Sequence, residues 1–317
     1  MPELVLSELT ELRYDRQVRA FGPELQDHLA RLTIAVVGVG GVGSLVVQGL
    51  ACLGAGRLLL VDPDTVEPSN LNRLVGATPA DAAHGTAKVD VAARAVAAIN
   101  PATAVSPVRG SVTEAGTWSH LRAAEVIVGA VDGHAARWAL NRLAVQYARC
   151  YLDVGVDLRP MDEGVGRRLE AGGHLAVLRP HGPCLLCLSG YDPGQVGVEL
   201  DPALAAARRT AGYRVDDPDA ATPSVVFLNQ VLAGHALAEL VNLLSPWRPP
   251  VAYLLVDLVG STTSVLAAER NADCPACGPC SPRALSDAAG GSRVPRTRDR
   301  PAARRRRTGG LSRRCDR

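Results

Sequence analysis

Short apolar runs alternate with longer stretches of helical periodicity through the first half of the chain. Residues 33–38 are the first such run, and glycines after it open into an apolar helical segment, Ser44 to Leu53. Arg57 to Asp62 reads as a second strand, and Lys88 to Ile99 as an Ala-rich helix. Ala104 to Val108 reads as a third strand, and Glu125 to Val131 as a fourth that ends at Asp132. A helix over Arg137 to Arg149 and a strand over Tyr151 to Val156 continue the alternation. Strands separated by helices predict a Rossmann-like α/β fold with a doubly wound, mainly parallel sheet.

The second half changes character. Gly173 to Leu178 reads as a strand, followed by Pro183-Cys-Leu-Leu-Cys187. Residues 189–222 are polar and rich in Gly, Pro and Asp, with little periodicity, and read as a long functional loop. Ser224 to Leu244 is a strongly apolar helix. Val251 to Leu258 and Thr262 to Ala267 read as C-terminal antiparallel strands that extend the sheet. The organisation expected is an N-terminal helix and connector (1–30), a nucleotide-binding Rossmann-like half (31–157), a substrate and zinc half (158–280) with its crossover loop at 189–222, and a tail (281–317). There is no internal repeat of fixed period.

Composition refines this picture. The 317 residues suffice for one large α/β domain or two small ones. Apolar residues make up 47% but aromatics only 3%, so the core must be built from Val, Leu, Ile and Ala. No apolar run reads as approaching the ~18 residues that span a bilayer. The start, Met1-Pro-Glu-Leu-Val-Leu-Ser-Glu, lacks the basic and apolar regions of a signal peptide. A cytoplasmic protein without a membrane partner is expected.

The formal net charge of +2 hides an asymmetry. Twelve arginines against three aspartates give residues 281–317 nine net positive charges, so the body ahead of them carries seven net negative ones. The tail has almost no apolar side chains and is expected to be disordered. Arg304-Arg-Arg-Arg307 could tether an anionic surface, but no aromatics interleave with it. An acidic body argues against nucleic acid as the partner.

The chemistry gathers at the ends of the expected strands. Gly38, Gly40, Gly41 and Gly43 let the backbone approach a phosphate at a helix N-terminus. Asp62, ending the second strand, is placed to accept hydrogen bonds from ribose hydroxyls. Asp64 either faces the same cleft or serves as a turn or cap residue. Asn70 and Arg73 lie in Pro68-Ser-Asn-Leu-Asn-Arg73, and Lys88 begins the next helix. Two cations beside a glycine turn suit a triphosphate better than a pyrophosphate bridging two nucleosides. Asp132, at a strand tip, is a candidate Mg2+ ligand through one or two oxygens, with phosphates supplying the rest. Arg137 is either a nucleotide contact or a surface residue.

Eight cysteines are present. Cys184, Cys187, Cys274 and Cys277 form two Cys-x-x-Cys pairs, the ligand set of a closed, structural Zn2+ site. Cys280 is a spare that could replace Cys274 or Cys277. Cys52 and Cys150 sit in apolar contexts and are expected in the core. Cys315 belongs to the tail.

Together these residues resemble the ThiF/MoeB/HesA family of ubiquitin-activating-enzyme-like adenylyltransferases. The resemblance runs from about residue 11 to 278. It rests on Arg13-Tyr-Asp-Arg-Gln17, the Gly38–Gly43 turn, Asp62-Pro-Asp64, Ser69-Asn-Leu-Asn-Arg73, Lys88, Asn100-Pro101, Asp132 with Arg137, and the cysteine pairs. The Gly-Val-Gly-Gly-Val-Gly-Ser form also looks like the related tRNA-modifying dehydratases, but the paired cysteines argue for the sulfur-carrier or ubiquitin-like branch.

The resemblance implies ATP, Mg2+ and Zn2+ as cofactors. It implies that the C-terminal carboxylate of a ubiquitin-like or sulfur-carrier protein, or of a precursor peptide, becomes an acyl-adenylate with release of pyrophosphate. It assigns Asp62 to ribose, Asn70, Arg73 and Lys88 to phosphates, and Asp132 to Mg2+. Arg16 matches an arginine that reaches the triphosphate of a partner subunit, which implies a homodimer. Two departures stand out. Gly133 follows Asp132 where the family usually has Asn. No cysteine occurs between Cys187 and Cys274, so a thioester step in the crossover loop is ruled out, as in relatives of the microcin-type peptide pathways. That loop, with Arg208 and Arg209, then covers the adenylate or binds the incoming tail. Two other readings remain: a peptide-recruiting module without catalysis, and an NAD(P)-dependent oxidoreductase.

Overall fold

The β-branched, apolar run Thr33–Val37 forms β1, an interior strand of an eight-stranded sheet. A computed structural model describes residues 6–162, 167–210 and 223–278. Ahead of β1 lie α1 (Leu6–Phe21) and α2 (Pro23–Arg31), so the expected helix and connector are two helices. After β1 come α3 (Gly41–Leu53), β2 (Arg57–Val61), a 3-10 turn (Pro68–Asn70), α4 (Pro79–His84), α5 (Lys88–Ile99) and β3 (Ala104–Val108). Then follow α6 (Ala115–Leu121), β4 (Val126–Gly129), α7 (His134–Tyr147) and the hairpin β5 (Cys150–Asp162) and β6 (Arg167–Leu178). The last elements among the described residues are α8 (Pro193–Leu200), α9 (Pro202–Thr210), α10 (Val226–Leu244), β7 (Tyr253–Asp257) and β8 (Thr262–Leu266).

The strand order is β3-β2-β1-β4-β5-β6-β7-β8. The first five are mutually parallel, and β5 to β8 are antiparallel, which is the α/β sheet with an antiparallel extension that the patterning predicts. Pro107 is tolerated in β3 because that strand is an edge. One apolar layer packs α3, α5 and α10 on one face through Val46, Leu50, Val89, Leu232 and Leu240. The other packs α6 and α7 through Leu121, Leu140 and Leu143, and takes in the buried Cys184, Cys274 and Cys277.

Several expectations need correction. Residues 193–210 are two helices rather than loop. Helix α10 is, by length and composition, apolar enough to cross a membrane, with mean hydropathy 1.2 and 50% of that window buried. Its apolar side chains instead pack on α3 and the sheet. Cys52 is exposed on α3 rather than in the core, whereas Cys150 is half-buried against the core and desolvation pushes its thiol up to about 12. The expected disordered tail, Cys280, Cys315 and residues 211–222 of the crossover segment lie outside the described residues.

The Arg13–Gln17 motif is largely a staple. Tyr14 is buried and its hydroxyl accepts from Asn100 Nδ2 (3.0 Å), which also donates to the Ala51 carbonyl (3.2 Å). Gln17 donates to the Leu53 carbonyl (3.0 Å). These bonds fasten α1 to the ends of α3 and α5.

Asp81, at the start of α4, is the strongest local clasp. It accepts from the Thr78 backbone and hydroxyl (2.9 and 2.7 Å) and from two nitrogens of Arg94 (3.0 and 2.7 Å). Its side chain is 6% exposed, and the bonds to Arg94 and Thr78 hold its carboxyl well below the usual carboxylate range. Arg94 is 53% exposed, so solvent screens much of that attraction. Asp81→Ala is expected to cost about 1–2 kcal/mol in urea unfolding at pH 7. A carboxyl lowered in the folded state stabilises above its unfolded value near ~4 and loses that contribution as pH falls through the folded value. The gap between wild type and variant therefore shrinks below pH ~4, and a gap independent of pH would exclude the carboxylate as its cause.

Candidate functional site

The C-terminal ends of β1, β2 and β4 meet at the glycine turn. Gly38 has φ +82° and lies against β4, where a Cβ would fall 2.3 Å from the Ala130 carbonyl oxygen. Gly43 abuts Gly38 itself, 1.8 Å from its carbonyl oxygen on the same test. Both positions therefore require glycine. A Cβ on Gly40 would meet nothing within 4 Å, so the turn presents bare backbone at the N-terminus of α3. That is the cradle an anion needs.

Asp62 is buried at the tip of β2 and bridges two segments. One oxygen accepts the Val39 N–H of the turn (2.8 Å), and the other accepts the Asp64 N–H (2.9 Å). Burial raises its carboxyl above the ordinary value, partly offset by nearby Lys88 and those two N–H groups. A carboxylate oxygen accepting one bond keeps capacity for another.

Asp64, exposed, pairs with Lys88 Nζ at 2.8 Å. The backbone enforces this pairing. Lys88 N–H donates to the Asp64 carbonyl (3.0 Å), Val66 N–H to that of Thr86 (2.8 Å), and Thr65 bridges Ala87. The Lys88 side chain is only 14% exposed, so its ammonium is held at the mouth of the cleft.

Arg73 lies beside the turn, its Cδ 3.5 Å from where a Gly41 Cβ would be. It donates to the Ser69 carbonyl (2.5 Å) and Asn72 Oδ1 (3.1 Å). Asn70 Oδ1 accepts the Glu67 N–H (3.1 Å) and so caps its own 3-10 turn. Sequence reasoning passed over two residues here. Ser44 Oγ donates to the Gly41 carbonyl (3.2 Å) and accepts the Val75 N–H (3.2 Å), tying the Arg73 segment to the turn. Asn229, fully buried on α10, would meet a Gly41 Cβ at 2.4 Å. Neither lies in a motif, although an Asn in so apolar a helix is a signal in itself.

Asp132 is exposed just beyond β4, and among the described residues nothing bonds to its side chain. Next to it, the Glu199 carboxylate of α8 accepts the His134 and Ala135 N–H groups (2.9 and 2.7 Å) and caps α7. Thus the crossover segment is docked beside Asp132. Arg16 is exposed on α1, with no bond to these residues among those described.

Arg137 sits over Gly155 and pairs with Asp153 at 3.4 Å. Asp153 is fully buried and also accepts from His174 Nε2 (2.9 Å) and the Tyr151 hydroxyl (2.5 Å). Burial alone would raise its carboxyl, but His174 and Arg137 outweigh it and the net shift is downward. Removing the cation strands a buried charge. Arg137→Met is expected to cost about 3 kcal/mol in denaturant unfolding. A loss below ~1 kcal/mol would show the pair to be stabilising little.

Cys184, Cys187, Cys274 and Cys277 converge, their sulfurs all within 4.8 Å of one another. The separations are 3.9 Å (Cys184–Cys187), 3.7 Å (Cys184–Cys274) and 3.5 Å (Cys187–Cys277). A tetrahedral zinc with Zn–S of about 2.3 Å implies sulfurs about 3.8 Å apart. The cluster fits the ion and leaves no position for a fifth group.

Comparison with known proteins agrees with this layout. The profile of the ThiF family matches residues 14–276. The chain is 31% identical over 273 residues to the SAMP-activating enzyme E1 of Haloferax volcanii, covering 84% of this chain and 88% of that one. It is 30% identical over 274 residues to the sulfur carrier protein adenylyltransferase of Thermus thermophilus, covering 84% and 90%. Among solved structures, E. coli MccB with ATP superposes with a TM-score of 0.65 at 18% identity, covering 84% of this chain and 74% of that one.

Proposed function

The chain belongs to the ThiF family, and from that premise we propose that it is an ATP-dependent adenylyltransferase acting on the C-terminal carboxylate of a small ubiquitin-like or sulfur-carrier protein, or of a peptide. The observation that carries this reading is the bare glycine turn flanked by Arg73, Asp62 and the Asp64–Lys88 pair. These groups serve one mononucleotide triphosphate. The ribose hydroxyls bond the free lone pairs of Asp62. The turn and Arg73 hold the phosphates, joined by Lys88 from its anchor on Asp64. The incoming carboxylate forms a bond to the α-phosphorus as the bond to the β-phosphate oxygen breaks, and pyrophosphate leaves. Mg2+ at Asp132 would neutralise charge on the leaving phosphates. The protein's own part is positioning and charge stabilisation.

The acyl group goes from the adenylate to an external nucleophile, because the span between Cys187 and Cys274 holds no thiol. Isotope exchange between pyrophosphate and ATP, stimulated by a candidate carrier protein, tests the first step. Exchange without a carrier-dependent increase for any C-terminal Gly-Gly protein or precursor peptide encoded beside this chain, or tighter binding of NAD than of ATP, would overturn it.

We further propose a homodimer in which Arg16 reaches the partner's triphosphate. Arg16→Ala and Lys88→Ala are each expected to lose exchange. Mixing them at equal ratio is expected to restore about one quarter of wild-type activity, because half of randomly assorted dimers carry one intact site. No recovery on mixing, with subunit exchange demonstrated, would place Arg16 outside the partner's site.

A further inference from the structure

A cavity of about 660 Å3 opens at the other end of the sheet, where β4 and β5 begin. The length of β4, about 13 Å, separates it from the glycine turn. Its inner wall is apolar, formed by Leu240, Leu243 and Leu244 of α10 with Leu32 after α2. Cys150 adds to that wall as a half-buried, protonated thiol. The rim is cationic: Arg31, Arg149 and Arg179 stand against one acid, Glu125, which already accepts the Thr33 N–H at 3.0 Å.

Arg149 Nη2 donates to the Arg122 carbonyl (3.2 Å), which fixes the guanidinium at the rim of the cavity. An apolar pocket of this size with a few convergent polar groups is the usual form of a small-molecule site.

We propose that this cavity binds a small alkyl carboxylate, with the head on the rim arginines Arg149 and Arg179 and the alkyl body against Leu32, Leu240, Leu243 and Leu244. Arg31 is already engaged with Asp27 (3.5 Å), which leaves those two guanidinium groups to meet a single anionic head. The site is separate from the nucleotide cleft, so its test does not depend on the adenylation reading.

Titration calorimetry on the full chain, with hexanoate, octanoate and decanoate below their micelle concentrations, provides that test. One site per chain is expected, with affinity rising about fourfold per added methylene. Replacing decanoate by decanol, or Arg149 by alanine, is expected to weaken binding at least about tenfold. Leu243→Trp, which fills the cavity and leaves Arg149 in place, is expected to abolish it. A circular dichroism spectrum and a cooperative unfolding transition like those of the wild type serve as the check that each variant is folded. The proposal is overturned by no saturable binding, by decanol binding as tightly as decanoate, or by undiminished binding to folded Leu243→Trp.

Discussion

Asp132→Ala is expected to lower ATP–pyrophosphate exchange by about 10³-fold while leaving the unfolding midpoint unchanged. The two halves of that expectation come from one observation. Asp132 is exposed at the tip of β4, and among the described residues nothing bonds to its carboxylate. The fold therefore loses little without it. What is lost is a negative charge at the point where a triphosphate and its Mg2+ would sit, and a charge-positioning group of this kind contributes on the order of 10²–10³ in rate. Asp132→Asn keeps an oxygen but not the charge, and should fall between. Asp62→Ala gives the contrasting outcome, because Asp62 joins the Val39 and Asp64 N–H groups and its removal unlatches the turn. Exchange within tenfold of wild type in Asp132→Ala would remove this residue from the reaction.

That contrast also marks what could be read from the chain alone. The glycines, Asp62 and Lys88 were legible because each stands at the end of a short element whose pattern is local. The Asp64–Lys88 contact spans only 24 positions, across a hairpin-like return. Groups that lie outside any motif gave no signal. Glu199 caps a helix 65 positions earlier, and Asp153 meets His174 across the β5–β6 hairpin. A lone acid in either segment has no partner until the topology supplies one. Arg137 shows the cost of this blindness: its helix position left it as either a nucleotide contact or a surface residue, whereas its cation lies against a buried aspartate.

The fold was legible where periodicity was clean. Central strands buried on both faces, such as Ile34–Val37 and Leu58–Val61, read as continuous apolar runs. The hairpin was read too short because beyond Val156 its outer face turns polar, with Asp157 and Arg159 alternating with Leu158. The crossover helices were missed although their signals are present. Asp192-Pro193 and Asp201-Pro202 are both a capping acid followed by proline, the usual opening of a helix. Asp192 accepts the Gly194 N–H (2.7 Å), and Asp201 the Ala203 N–H (2.9 Å). Composition outweighed capping in that reading, since Gly, Pro and Asp also mark loops.

The cysteine cluster carries the other large expectation. Cys184 and Cys274 are 90 positions apart, yet their sulfurs stand 3.7 Å from each other. That is too far for a disulfide, whose sulfurs lie about 2.05 Å apart, and close to the edge of a zinc tetrahedron. Burial raises the Cys184 and Cys277 thiols above their ordinary value, so without a cation these two are held protonated at neutral pH. A zinc ion reverses this by favouring the thiolates, and binding it contributes directly to folding. The purified chain is expected to hold one zinc by elemental analysis. Stripping it with a strong chelator, or Cys277→Ser, is expected to lower the unfolding midpoint by at least about 10 °C, since even 4–5 kcal/mol shifts a domain of this size that far. The damage should be graded along the chain. Hydrogen exchange should rise first in the segment after β6 and at residues 267–278, which the cluster ties together, and last in β1 and β2, whose core lies apart from it. A metal-free chain with an unchanged midpoint would leave the four thiols as packing alone.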